Sequence, residues 1–268
     1  MQREASTPRR LCSASLKAHL SCCYFWLVQP EKFVYPRHEM PLLEAYGGRF
    51  ESAFVILHPF VRVPQSLAWS ATRRYPEDAQ IAALGARCAW SEVEAHVELN
   101  SCARMNQALL TSIGSLSDYM ADPAGCERLR NFLENKPIWM PAEGRFEPLL
   151  WSCFLQIFAI AGMEELVFVP EFPHSDPVVR LSIAGLSDGS IPFPTCGTLL
   201  APDDSFLFTV DWDSFFTLFY GRRTLVREAV RKLNLEGFFA TANTNHAWWN
   251  YSFGCATVTV SPEDWQIA

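Results

Sequence analysis

The chain has 268 residues, 49% apolar and 19% charged, with a net charge of −7 and a pI near 5.4. That length and apolar content can bury a sizeable core, the composition excludes general disorder, and the acidity argues against a broad nucleic-acid surface, which clustered Lys and Arg would have to supply. Nine cysteines without any C-x-x-C pair exclude a zinc ribbon or a thioredoxin-like motif, and Cys102, Cys153 and Cys255 read as small buried hydrophobes of a reducing cytoplasm.

Residues 1–40 carry six Lys and Arg against three Glu, whereas residues 41–268 carry a net −10. They read as an N-terminal extension, poorly ordered or produced by a mis-assigned start ahead of Met40, followed by a single globular domain over 41–268. Phe54-Val55-Ile56-Leu57, closed by Pro59, predicts a buried strand. Ser91 and Glu94 fit a capping box, and the stripe Cys102, Met105, Leu109, Ile113 and Leu116 carries the predicted helix to about Tyr119, with Asn100-Ser101 as an interruption. Asp122-Pro123 predicts a second helix ending near Glu134. A third, about 148–161, starts at Pro148, is apolar on nearly every face, stops at Gly162 and is expected to be the largely buried central helix. Its apolar run is too short to cross a membrane.

Strands are expected at Glu165–Val169 and Val178–Ala184, with a turn at Ser187-Asp188-Gly189-Ser190. A further strand ends at Asp211 and leads into a short helix from Ser214 to Tyr220, closed by Gly221. Thr224 caps a helix over Leu225–Leu233, and Gly237–Thr241, Ala247–Tyr251 and Cys255–Val260 read as strands. Without a regular βαβ cadence, the class is α+β, with a mixed or antiparallel sheet packed against several helices.

Several constellations are candidates for chemistry. Asp211-Trp212-Asp213 at a strand end resembles the D-x-D motif of metal-dependent glycosyltransferases, which implies Mg or Mn held by hard carboxylate oxygens; the bland alternative is that these carboxylates cap the Ser214 helix. Gly185-Leu186-Ser187-Asp188-Gly189 resembles the nucleophile elbow of α/β-hydrolases, with Asp211 and His246 following in that family's order, although Pro192 and Pro194 oppose the helix such an elbow needs. Asn243, Asn245, His246, Trp248, Trp249, Asn250 and Tyr251 alternate amides and rings as a ligand pocket would, or as a turn and core strand would. His58, His96, His174 and His246 lack metal-ligand spacing, and His174 between Pro173 and Pro177 reads as a rigid loop. Arg223, Arg227 and Arg231 form a basic stripe that reads as a solvated helix face.

These features predict a soluble bacterial protein of the cytoplasm that binds an unknown protein or small-molecule partner without catalysis, as an immunity or adaptor protein does, with no cofactor, nucleic acid or membrane. The alternatives are a metal-dependent transferase using Asp211 and Asp213 and a serine hydrolase using Ser187.

Overall fold

The computed structural model describes residues 32–69, 74–173 and 175–250. The fold is α+β, built on a seven-stranded sheet and a three-stranded one. In chain order the elements are a helical turn α1 (Ala45–Gly48), β1 (Ser52–Leu57), β2 (Phe60–Arg62), α2 (Asp78–Leu84), β3 (Ala86–Cys88), α3 (Trp90–Val97), α4 (Cys102–Ser112), α5 (Pro123–Leu133), β4 (Ile138–Trp139), α6 (Trp151–Ile160), β5 (Glu165–Val169), β6 (Val179–Ser182), α7 (Ile183–Ser187), β7 (Gly197–Leu200), β8 (Leu207–Val210), β9 (Phe216–Gly221), α8 (Arg223–Leu233) and β10 (Gly237–Phe239).

The large sheet runs β10-β1-β9-β8-β7-β5-β6, and every neighbouring pair is antiparallel. β1 and β9 lie inside it, paired from Ser52↔Gly221 to Leu57↔Phe216, and both are buried along their whole length. Both faces of the sheet are covered. On one face Ala53, Val55, Leu207, Leu218 and Tyr220 pack against α3, α4 and α5 and against Phe33, Trp248 and Trp249. On the other, Phe54, Phe208 and Phe219 pack against α6 and α8. The small sheet, β3-β2-β4, supports a satellite core of Val61, Val63, Ile81 and Trp139. Among the described residues no helix is long and apolar enough to cross a membrane.

Several expectations hold in detail. Asp122 accepts the Gly125 amide at 2.9 Å and opens α5 with Pro123 in its first turn. β5 spans the expected residues, Gly162 follows α6 with φ +75, and Asp188 accepts the Ser190 amide at 2.9 Å in the expected turn. The cysteines among the described residues are free, with Cys153 buried and Cys102 half-buried; Cys255 and the strand Cys255–Val260 lie outside the described residues.

Others are corrected. The helix from Ser91 does break at the expected Asn100-Ser101, where Glu98 and Asn100 take positive φ, but its second part ends at Ser112 rather than near Tyr119. No capping box forms at its start: the Glu236 carboxylate, distant in sequence, accepts the Trp90 and Ser91 amides at 2.8 and 3.1 Å. α6 is pressed onto the sheet rather than enclosed, since Ser152, Gln156, Ala159 and Ile160 are exposed while Phe154 and Phe158 are fully buried. Ser214–Tyr220 is no helix but strand β9, because a segment buried on both faces loses the period that separates strand from helix. α8 begins at Arg223, not under a Thr224 cap, and its Arg223 amide donates to Glu51 at 3.2 Å. The expected strand Ala247–Tyr251 is a run of turns as far as Trp249, and Tyr251 lies outside the described residues.

A candidate metal centre

β8 ends at Val210 and β9 begins at Phe216, so the carboxylates of the D-x-D motif sit in a hairpin turn. Ser214 fixes that turn: its amide and hydroxyl donate to the Asp211 carbonyl at 3.2 and 2.8 Å. The turn is held from outside by the Gly144 amide, which donates to the Ser214 carbonyl at 2.9 Å. Gly144 has φ +62, and a Cβ there would collide with the Trp212 carbonyl, so the approach requires glycine. With no helix following, the capping reading of Asp211 and Asp213 falls.

Asp211 is nearly buried and turns toward two histidines from distant segments. Its Oδ2 lies 2.9 Å from His38 Nε2 and 3.7 Å from His246 Nε2. The imidazoles stack with centroids 3.8 Å apart and planes 8° from parallel. Donor atoms of His38, Asp211 and His246 all fall within 4.8 Å of one another. Tyr35 completes the group, its hydroxyl hydrogen-bonded to His246 Nδ1 at 2.9 Å. His246 is seated by Phe216, whose ring centroid is 5.6 Å away.

Electrostatics separate the two histidines. Burial, aided by the neighbouring His38, lowers His246 to about 4, so its imidazole is neutral. His38 is half exposed, and its hydrogen bond to Asp211 raises its pKa. Beside them Asp213 is half-buried and its pKa is raised by desolvation and by the Asp211 charge. Glu143 is raised in turn, by desolvation and by Asp213. Trp212, between the two aspartates, is 64% exposed.

The other sequence candidates lie elsewhere. Asp213 is adjacent but outside the cluster of donor atoms. Ser187 ends α7, exposed, on the face of the sheet that carries α6, so Asp211 and His246 meet without it and no nucleophile elbow exists. Of the proposed pocket, Trp248 and Trp249 are core residues packed with Phe216 and Phe238, Asn250 is buried against Met120, Asn245 is half-buried and Asn243 is exposed. Among the described residues of that set, His246 alone joins the centre. His58 is a buried core residue, its Nε2 2.8 Å from the Thr217 hydroxyl. His96 stacks on Phe132, and His174 lies outside the described residues. Arg223, Arg227 and Arg231 are all exposed along α8.

Tyr35 and His38 escaped sequence reasoning because the tail containing them was judged by its charge. The signal that could have found them is the apolar Phe33-Val34-Tyr35 ahead of Pro36: Phe33 is 4% exposed in the core, and its carbonyl accepts the Thr198 hydroxyl at 2.7 Å. Residues ahead of Met40 are thus part of the packed fold.

Residues 38–250 match a family described as "Protein of unknown function (DUF2711)", a span that starts at His38 and includes Asp211 and His246. The chain is also 22% identical over 224 residues to "Uncharacterized protein YwbB" of Bacillus subtilis (strain 168), covering 81% of this chain and 98% of that protein. No solved structure matches. With the match covering most of its length, the chain belongs to the DUF2711 family.

Proposed function

We infer that this protein is a divalent-metal enzyme acting on a small molecule, with His38, Asp211 and His246 as the ligands. The observation that carries the reading is the convergence of two imidazoles and a carboxylate from three distant segments with their donor atoms within 4.8 Å. An ion with bonds of about 2 Å wants donors roughly 3.3 Å apart, and binding it would require the two imidazoles to turn out of their parallel stack so that both nitrogens face the ion. The donor set fits a borderline transition ion such as Zn²⁺, rather than the Mg²⁺ that carboxylates alone would favour. His246 suits the role because it is neutral, and Tyr35 on its other nitrogen fixes the ring, as outer partners of metal-bound histidines do.

Three protein ligands leave a coordination position for water or substrate, where the ion would lower the pKa of bound water or polarise an oxygen. Asp213 and Glu143 beside the centre supply carboxylates able to accept a proton from such a water. The exposed flank of His38 leaves the centre reachable from solvent.

A second reading rests on the hydrogen bonds themselves: His38 to Asp211 and Tyr35 to His246 also pin residues 33–40 to the sheet in a protein that only binds a partner. Titrating chelator-treated protein with Co²⁺ separates the two. The enzyme reading expects visible absorption bands of a bound ion and a stabilisation by Zn²⁺ of about 2.7 kcal/mol at a hundredfold excess over Kd, read as a rise in thermal midpoint. Both should vanish in Asp211→Asn, which keeps the hydrogen-bonding shape. A folded parent that binds neither ion leaves the pin as the sole role.

A further inference from the structure

We propose that the cleft beside the hairpin is a binding site for an aromatic anion, a planar ring system bearing a carboxylate. This deepens the metal-centre reading by naming what the centre would act on. The cleft is open and encloses about 630 Å³, within the range of small-molecule sites. Its wall includes Trp69, Tyr75 and Trp139 together with Arg130, Arg145 and Glu143. It adjoins the centre through the hairpin: Phe215 also lines it, and Glu143 stands within electrostatic reach of Asp213.

The aromatic wall is preorganised. Trp139 stands nearly perpendicular to Trp69 and to Tyr75, with centroids 6.5 and 5.4 Å away, forming a corner of ring faces. The polar handles of two of these rings are spent internally, Trp139 Nε1 donating to the Leu67 carbonyl at 2.7 Å and the Tyr75 hydroxyl to the Met140 carbonyl at 3.0 Å. Trp139, buried in the satellite core, backs this wall, so the ring surface offered to a ligand is that of the half-buried Trp69 and Tyr75, which a flat aromatic body suits.

Charge selects the rest. In a chain of net −7 the described residues of the cleft wall include two arginines against one glutamate. Arg145 is held by Asp78, and its buried Nε has no partner among the described residues. Arg130, exposed in the last turn of α5, pairs with no carboxylate among the described residues and makes only a 3.7 Å contact to Cys126 Sγ. A guanidinium left over beside aromatic faces matches a ligand carboxylate, which it can take with two parallel hydrogen bonds.

Calorimetry on the full chain, with naphthoate and its neutral amide as probes and metal removed by chelator, tests the assignment. Naphthoate should bind saturably and the amide at least about tenfold more weakly. Arg130→Gln should weaken naphthoate about tenfold and leave the amide unchanged, and Trp69→Ala should weaken both. Asp211→Asn should leave naphthoate binding intact, which keeps the result independent of whether the centre holds an ion. No saturable binding by the folded protein, or binding indifferent to both cleft substitutions, overturns the proposal.

Discussion

Glu147 and His58 hold opposite sides of one peptide segment. The Glu147 carboxylate accepts the Ala142 amide at 3.2 Å, and His58 Nδ1 lies 3.3 Å from the Ala142 carbonyl. Both side chains are fully buried, and Glu147 Oε1 has no partner among the described residues. Burial raises Glu147 from 4.5 to about 7 and lowers His58 from 6.5 to about 3. The signs oppose. An acid held more tightly by its proton in the fold gives stability that is full below 4.5 and lost as pH rises through about 7, whereas a base kept neutral gives stability present above 6.5 and lost as pH falls toward about 3. Glu147→Gln keeps an acceptor and abolishes the first titration, so its stability relative to the parent should improve by about 3 kcal/mol between about pH 4 and about pH 8 in urea unfolding. A difference flat across that range would mean that Glu147 is hydrated. Sequence offered no sign of either role, because Leu57-His58-Pro59 and Glu147-Pro148 are ordinary local contexts and burial is decided by segments far away in the chain.

At the scale of elements, the hairpin of β8 and β9 and its Gly144 clamp form the device that aims Asp211. Gly144→Ala combines a positive φ with a collision against the Trp212 carbonyl, so a loss of more than about 1 kcal/mol is expected, with weaker Co²⁺ binding because the turn must shift. α6 gives a contrasting case. Phe154 and Phe158 are fully buried against Phe206 and Phe208, and truncating either to Ala should cost roughly 3–5 kcal/mol in denaturant unfolding while metal binding survives, since they pack on the opposite face of the sheet. A Phe154→Ala loss below about 1 kcal/mol would mean the sheet can collapse around the gap. What the sequence made legible here were elements with local punctuation: the Asp122-Pro123 cap, the Gly162 stop, and the strand ends at Pro59 and Asp211. It misled at β9, where Asp213, Ser214 and Gly221 imitate helix signals around a segment buried on both faces, and at α3, whose free amides are met by Glu236 through tertiary contact.

For the molecule as a whole, the question is where the folded unit starts. Composition divides the chain at Met40, because charge is a property summed over a window and the basic residues dominate the sum. Packing divides it earlier: Phe33 is buried in the sheet core, the Tyr46 hydroxyl donates to the Val34 carbonyl at 3.1 Å, and Tyr35 and His38 reach the centre. A handful of apolar residues outweighs net charge in fixing a boundary, since each buried ring contributes kilocalories and each exposed charge very little. A chain shortened to begin at Met40 should therefore lose at least the value of one core phenylalanine, roughly 3–5 kcal/mol, and with it about 10 °C of thermal midpoint. It should also bind no Co²⁺, having lost His38. Single substitutions separate the two losses: Phe33→Ala should lower the midpoint and keep the ion, and His38→Ala should lose the ion with a smaller thermal cost, because its ring is half exposed. Were the Met40 chain as stable as the parent, residues 33–39 would be a loosely attached strap, and a centre that depends on His38 could not be the protein's working site.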